Sequence, residues 1–220
     1  MKRKILVFLA VSAMAISLFP ACSKSKGTSI LYQDHFSLRI TSKDGVVIFI
    51  DPYKGDGYDV PADIILTTQS HSMADKPAKK DDCVVITNMD ALVDGEYKSF
   101  SIKGVEIEAV EAQNSTPHRV VGYIIKVDGF IIYISGETSR TDQMESFAQL
   151  EIDYAFFACH GGAAHDVTVQ EAAECAKLVG AKHNIPYETT TLDFSREVAE
   201  SFDAPNRLIL EPGEVLYLEH

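Results

Sequence analysis

The sequence predicts an α/β fold in which helices cover a pair of β-sheets. Segments with the pattern of strands dominate the first 135 of the 220 residues, and strands alternate with helices in the remainder. The hydrophobic content of 46% is that of an ordinary globular protein, and the length allows one domain with a substantial core. We therefore expect a single domain built as an α/β sandwich.

Apolar or alternating runs bounded by turn residues define the strands of the first part. The predicted strands are 36–40, 46–50, 63–67, 84–87, 99–102, 105–110, 121–127 and 130–134. The pair Asp128-Gly129 stands between the last two and is typical of a two-residue hairpin turn. These two strands are therefore expected to pair with each other.

Helical spacing begins after Gly136. The predicted elements of this second part are a helix at 141–150, a strand at 154–158, a helix at 168–179, a strand at 183–186, a helix at 194–202, and a closing hairpin of 208–210 with 215–218. Thr168 and Glu171 have the spacing of a capping box, and Gly180 is placed to end the helix that starts there.

The first residues have the composition of a targeting segment. Lys2, Arg3 and Lys4 precede an apolar run at 5–18 that is too short to span a bilayer as a helix. A small residue stands directly before Cys22, as in a bacterial lipoprotein cleavage site. Cleavage by ordinary signal peptidase after a nearby small residue is the alternative.

The domain organisation follows from this segment: a signal peptide at 1–21, a tether at 22–29 and one domain at 30–220. A lipid on Cys22 is expected to attach the protein to a membrane of the bacterial cell envelope, in the periplasm or at the outer membrane. The formal net charge of −12 excludes nucleic acid as a partner, because phosphate binding needs clustered cations. The expected partner is a small-molecule ligand or substrate.

Five segments in a fixed order carry a resemblance to a known family. They are I-F-I-D-P at 48–52, A-D-I-I-L-T at 62–67, the stretch from G-Y-I-I through D-G to G-E-T at 122–138, V-T-V-Q-E-A-A at 167–173, and I-P-Y at 185–187. Together they resemble the metallo-β-lactamase superfamily, in particular its lactonase-like branch that includes ascorbate-6-phosphate lactonase. The resemblance covers about residues 30–220 and implies an αββα four-layer sandwich.

The resemblance also implies a metal loop of the form H-x-H-x-D-H after the strand at 63–67, and here the match is poor. An ungapped alignment places Gln69, His71, Met73 and Ala74 at the ligand positions. An alignment with a two-residue insertion places His71, Met73, Asp75 and Lys76 there. In neither alignment is the loop a zinc site as it stands, because Met and Ala do not supply the donors that zinc prefers and Lys adds a positive charge.

The later ligand positions of the family are altered as well. Asn114 occupies a loop position near His118, Glu137 replaces the bridging Asp, and Glu188 replaces the final His. The family pattern and the neighbouring loops leave six candidate ligands: His71, Asp75, His118, Glu137, His160 and Glu188. We expect either no metal or a single divalent ion such as Zn, Mn or Fe, bound weakly.

Two other features keep alternatives open. His160 precedes Gly161-Gly162, which indicates either a loop that approaches a ligand or simply a turn. The D-P-Y-K-G-D-G-Y loop at 51–58 either rims a ligand cleft or is a solvated turn. His35 is interpreted as a structural or surface residue.

The favoured function is a hydrolase-like lipoprotein whose dinuclear zinc site is eroded and whose cleft binds a small ligand, with weak or no catalysis. The alternative is an active metal-dependent hydrolase, of lactonase or phosphodiesterase type, with a reorganised mononuclear site. A purely structural lipoprotein is the third hypothesis. The sequence assigns no catalytic residue.

Overall fold

The computed structural model of the protein describes residues 27–70, 72, 75–114, 119–159, 167–190 and 193–220. The strands, in chain order, are β1 Ser29–Asp34, β2 Ser37–Thr41, β3 Val47–Ile50, β4 Ala62–Leu66, β5 Lys79–Ile86, β6 Leu92–Val93, β7 Glu96–Tyr97, β8 Ser99–Ile102, β9 Val105–Glu111, β10 Val121–Val127, β11 Phe130–Ile134, β12 Tyr154–Ala158, β13 His183–Tyr187 and β14 Val215–Tyr217. The helices are α1 Asn88–Ala91, α2 Met144–Phe147, α3 Val169–Val179 and α4 Arg196–Ser201, with a 3₁₀ turn at Ala148–Leu150.

These strands form two six-stranded sheets. The first sheet has the order β14-β1-β2-β3-β4-β5 and the second has the order β13-β12-β11-β10-β9-β8. The pairs β3–β4 and β4–β5 of the first sheet and β11–β12 and β12–β13 of the second are parallel. All residues of β3, β4 and β12 are buried, which explains why these strands have nearly continuous apolar sequences.

The main core lies between the two sheets, where side chains such as Ile48, Ile64, Ile125 and Phe156 pack together. A second apolar cluster covers the outer face of the second sheet with α3. On the outer face of the first sheet, Phe49 and Ile65 pack against Tyr58 and Val60 of the loop after β3. The α/β sandwich predicted from the sequence is therefore confirmed, with loop residues covering part of the first sheet.

Local predictions were confirmed where the signal was a turn or a cap. Asp128 and Gly129 both have positive φ angles, 53° and 91°, and join β10 to β11 as a hairpin. The Thr168 side chain accepts a hydrogen bond from the Glu171 N–H, and Gly180 ends α3 with a φ of 67°.

One strand was missed, and one long-range prediction was wrong. The strand β1 was not predicted, and its partner β14 pairs with it through Ser29 and Tyr217. Residues 208–210 do not form a strand, so the closing hairpin predicted with 215–218 is absent from this described part of the chain. The helix predicted at 141–150 is also shorter, with α2 followed by the 3₁₀ turn.

Candidate functional site

The carboxyl ends of the parallel strands of both sheets meet at one edge of the sandwich. The N–H of Val121 in the second sheet donates to the carbonyl oxygen of Thr68, after β4 of the first sheet, at 3.0 Å. The Tyr123 hydroxyl donates to the Thr67 carbonyl oxygen, also at 3.0 Å. Ligand sites in α/β sheets lie outside the carboxyl ends of strands, so this edge is the candidate site.

Asp51 stands at the centre of this edge, directly after β3. Its side chain is fully buried and its φ of 45° lies in the left-handed region. The Thr68 N–H and hydroxyl each donate to the carboxylate at 2.6 Å, and the Ser72 hydroxyl donates to it as well. These bonds hold the loop that follows β4 against the end of β3.

The environment of Asp51 favours the neutral form of its carboxyl group. Burial raises the pKa of Asp51 to about 6, although the hydrogen bonds from Ser72 and Thr68 lower it. The nearby carboxylate of Glu137 raises the same pKa. A carboxyl group with this pKa exchanges a proton close to neutral pH.

Glu188 and His35 face each other across the two sheets. Both side chains are buried, 1% and 7% exposed, and the His35 Nε2 atom lies 3.7 Å from the Glu188 Oε1 atom. The Glu188 N–H donates to the His35 carbonyl oxygen at 2.9 Å. Both residues have positive φ angles, 50° and 55°, which are costly for residues with a side chain and are often found at functional sites.

An aromatic wall adjoins this pair. The rings of His35 and Phe36 have centroids 4.4 Å apart, and the Phe36 ring stacks on Tyr53 at 5.2 Å. The Tyr53 side chain is 41% exposed, so the wall reaches the surface. Tyr187 is buried beside the site, and its pKa is raised well above the ordinary value by burial and by the carboxylates of Asp51 and Glu188. Its phenol is therefore a neutral hydrogen-bonding group at neutral pH.

Glu137 completes the acidic part of the edge. It is half-buried, and the Asn114 side-chain amide donates to its carboxylate at 3.5 Å. Gly136 has a φ of 63°, and a Cβ atom there would lie 2.8 Å from the Val121 carbonyl oxygen. Glycine is therefore required for the close approach of this turn to the neighbouring strand.

The structure brings two of the six predicted metal ligands, Glu137 and Glu188, to this edge. Asp75 instead has a fully exposed side chain that pairs with Lys79 at 2.7 Å. His71, His118 and His160 lie outside the described residues, as do Met73 and Ala74. Within the described ranges no three His, Cys, Asp or Glu side chains are grouped to hold one metal ion. The metal-binding role of all six residues stays a prediction.

Sequence reasoning missed several residues of the edge. Asp51 was noted only as part of the I-F-I-D-P segment that resembles the family. A carboxylate directly after an apolar strand would have been a usable signal for a functional site. His35 was interpreted as structural, and Thr68 and Ser72 were not considered. The hydroxyl bonds to Asp51 depend on contacts between separate segments, so spacing along the chain did not reveal them.

Known proteins resemble this chain in sequence and in fold. A UPF0173 metal-dependent hydrolase from Ligilactobacillus salivarius is 27% identical over 71% of this chain and 87% of its own length. One from Pyrococcus furiosus is 33% identical over 56% of this chain and 59% of its own length. The crystal structure of a metal-dependent hydrolase from Parabacteroides distasonis is 29% identical, with a TM-score of 0.65, and covers 84% of this chain and 92% of that one.

Igni18, a metallo hydrolase from Ignicoccus hospitalis, has a TM-score of 0.68 at 17% identity over 88% of this chain and 99% of its own, which shows the shared fold. The family described as "Beta-lactamase superfamily domain" matches residues 29–188. This range includes both sheets as far as β13 and the site edge from Asp51 to Glu188. The metallo-β-lactamase fold inferred from the five motifs is thus confirmed, and the chain belongs to the beta-lactamase superfamily.

Proposed function

We propose that the protein is a hydrolase-like lipoprotein whose cleft binds a small ligand and does not assemble a dinuclear zinc centre. The observation that carries this proposal is the donor set after β4. The Thr68 and Ser72 hydroxyls bond to the Asp51 carboxylate, and Gln69 is a buried amide at 4% exposure. Hydroxyl and amide groups are poor zinc ligands compared with imidazole and thiolate.

The other described positions of the loop support the same proposal. The Lys76 ammonium lies 4.4 Å from the centroid of the Tyr58 ring and donates to the Tyr53 carbonyl oxygen. The Asp75 carboxylate pairs with Lys79 at the surface. Hydrolysis by a metal-held water needs about three protein ligands and an open position. The described donors do not fit a pair of zinc ions.

The cleft has the chemistry of a binding site for a small polar molecule. Glu137 and Glu188 supply acceptors, Tyr187 supplies a neutral hydroxyl, and the exposed ring of Tyr53 supplies an apolar face. A few convergent polar groups beside aromatic side chains are typical of such sites. The two carboxylates favour a ligand that carries hydroxyl or amine donors.

Lipid attachment at Cys22 is part of the proposal, and Cys22 lies outside the described residues. The helices of the described ranges are too short or too polar to cross a bilayer. Labelling with radioactive palmitate in a bacterial host is expected to mark the wild type and to leave Cys22→Ser unlabelled; label retained by Cys22→Ser contradicts the proposal.

A second candidate function is a metal-dependent hydrolase with one metal ion. It is favoured by the names of the relatives, several of which are metal-dependent hydrolases. It requires His71, His118 or His160 to join Glu137 or Glu188 around a single ion.

Metal analysis separates the two candidates. We expect the full chain, purified without chelator, to contain far less than one transition-metal ion per chain and to unfold at the same temperature with and without EDTA. A matched pair of variants tests ligand binding: in a thermal-shift screen of small polar molecules, Glu188→Gln is expected to lose the stabilisation that the exposed Asp75→Asn retains.

One result would contradict the proposal and support the second candidate. It is a stoichiometric metal ion that is lost in the double variant His71→Ala/Glu137→Ala, together with hydrolysis of lactone or phosphodiester probes that the double variant no longer catalyses.

A further inference from the structure

A separate cavity lies on the outer face of the first sheet. It has a volume of about 440 Å³ and is bounded by β1, β2, the loop at 55–57 and the turn at 212–213. Tyr32 and Leu38 of these strands point into the core, so their alternating neighbours Gln33 and Arg39 face the cavity side. The volume falls within the range of small-molecule sites.

Arg39 is the cationic group of the cavity. Its Nη1 atom donates to the Gly57 carbonyl oxygen at 3.0 Å. Its Nε atom is buried and, in the part of the chain that the structure describes, has no hydrogen-bond partner. Nε and Nη2 form one edge of the guanidinium group, the edge that binds a carboxylate with two parallel hydrogen bonds.

Gln33 supplies an acceptor in the same cavity. Its side chain is buried at 3% exposure, and its Nε2 atom donates to the Asp56 carbonyl oxygen at 2.6 Å. Its Oε1 atom is also buried and accepts no hydrogen bond from any described residue. Buried amide oxygens are normally paired, so this atom indicates a missing donor.

Two glycines bring the loop close enough to form the cavity wall. A Cβ atom at Gly55 would lie 2.2 Å from the Gln33 carbonyl oxygen, and one at Gly57 would lie 3.1 Å from Arg39 Nη1. Both glycines have positive φ angles, 84° and 89°. The loop is therefore held on the sheet by the side chains of Gln33 and Arg39, with glycine required at the contacts.

The surrounding charges decide which ligand fits. The acidic residues Asp34 and Asp56 line the cavity together with Arg39, and the Asp34 carboxylate lies 3.3 Å from the Lys54 ammonium. These acids disfavour a phosphate, which carries up to two negative charges. They favour a ligand that presents one carboxylate and one ammonium group. Leu31 and Pro212 add an apolar wall.

We propose that this cavity binds a free α-amino acid as its zwitterion. The carboxylate pairs with the Nε–Nη2 edge of Arg39. The ammonium group donates to Gln33 Oε1 and to the carboxylates of Asp34 and Asp56, while an apolar side chain lies against Leu31 and Pro212. The site is distinct from the strand-end cleft and does not depend on the function proposed for that cleft.

Calorimetry on the full chain with L-leucine and L-alanine tests the proposal. We expect saturable binding of L-leucine, with at least a tenfold loss of affinity for N-acetyl-L-leucine and for L-leucine methyl ester, because each lacks one charge. In ¹H–¹⁵N spectra the Arg39 Nε–H signal is expected to shift as L-leucine is added, since this N–H gains an acceptor.

A pair of arginine variants gives the matched control. Arg39→Lys keeps the charge but cannot form two parallel bonds, so it is expected to lose at least tenfold in affinity. Arg140→Lys changes an exposed arginine that pairs with Glu145 and is expected to bind as the wild type does.

Four results overturn the proposal. They are no saturable binding of either amino acid, equal affinity of Arg39→Lys and wild type, equal affinity for inorganic phosphate, and equal affinity for N-acetyl-L-leucine. All except the Arg39→Lys comparison use only the wild-type chain, so they decide the matter even where that variant does not fold.

Discussion

The two ends of the central strands β3 and β4 hold buried aspartates with different partners. Asp63 lies near the amino end of β4, and Asp51 follows the carboxyl end of β3. Asp63 is 3% exposed and Asp51 is 0% exposed. Asp63 accepts hydrogen bonds from the ammonium groups of Lys80 and Lys103, both at 2.6 Å. The described donors to Asp51 are one backbone N–H and two hydroxyls.

The partners set the charge of each group. Burial raises the pKa of Asp63, but the bonds from Lys103 and Lys80 outweigh it and hold that pKa below its usual value. Burial raises the pKa of Asp51 to about 6, and neutral hydroxyls do not cancel the effect. Strongly perturbed pKa values cluster at functional sites, although structural ion pairs perturb pKa values as well. The absence of a cationic partner among the described donors to Asp51 therefore makes the end of β3 the better candidate for a functional site.

The largest expected effect is the pH dependence that Asp51 confers on stability. Its folded-state pKa of about 6 lies above the ordinary value of 3.8, so its stabilising contribution is complete below pH 3.8 and is lost as the pH rises through 6. A shift of about two units corresponds to about 3 kcal/mol. Urea unfolding is expected to show the wild type losing this amount relative to Asp51→Asn between about pH 4 and pH 7.

The exposed variant Asp44→Asn serves as the control and is expected to follow the wild type. Equal slopes of stability against pH for the wild type and Asp51→Asn would contradict the assignment of a raised pKa to Asp51.

The second-largest expected effect is the loss of stability when the buried carboxylate of Asp63 loses its charge. Asp63→Asn removes the charge that pairs with Lys80 and Lys103 and is expected to cost about 2 kcal/mol in the free energy of unfolding at pH 7. Because the folded-state pKa of Asp63 is lowered, this cost is present above pH 3.8 and shrinks as the pH falls below it.

Urea unfolding at pH 7 and pH 3 measures both parts of this prediction. Asp82→Asn is the control, because Asp82 also pairs with Lys103, at 2.8 Å, but its side chain is 69% exposed. A loss in Asp82→Asn as large as that in Asp63→Asn would show that burial does not determine the strength of these pairs.

The smallest expected effect is at Thr68. Thr68→Val keeps the shape but removes the hydroxyl that donates to Asp51, so we expect a loss of about 1 kcal/mol and a further rise in the pKa of Asp51. Thr68→Ser keeps the hydroxyl and is expected to retain both properties. Carbon-detected NMR titration of the Asp51 carboxyl group checks the pKa, and an unchanged pKa in Thr68→Val would contradict the role given to this bond.

Whether the partners of a residue are close or distant along the chain explains which elements were predicted from the sequence. The helix α3 and the turn at Asp128-Gly129 were predicted because caps and positive φ angles are encoded by neighbouring residues. The strand β1 was missed because one of its two partners, β14, lies near the other end of the chain. Residues 208–210 have the composition of a strand, but no local signal shows that 215–217 pairs elsewhere.

The residues of the candidate site also fall into two groups: those found from local motifs and those brought together by contacts between distant segments. Glu137 and Glu188 were chosen as candidates because they replace residues of a recognisable motif, and both lie at the strand-end edge near Asp51 and Tyr187. The links from Asp51 to Thr68 and Ser72 and from His35 to Glu188 join segments up to 153 residues apart, which no spacing rule reveals.

The pairing of β1 with β14 brings the first and last described strands together at one edge of the first sheet. Ser29 pairs with Thr41 and Tyr217, at the end of the first sheet opposite to the pair Leu38 and Ile50 that adjoins Asp51. The first and last described strands thus meet at the end of the sheet remote from Asp51. A label attached at Ser29 or Tyr217 would therefore leave access to the strand-end edge unobstructed.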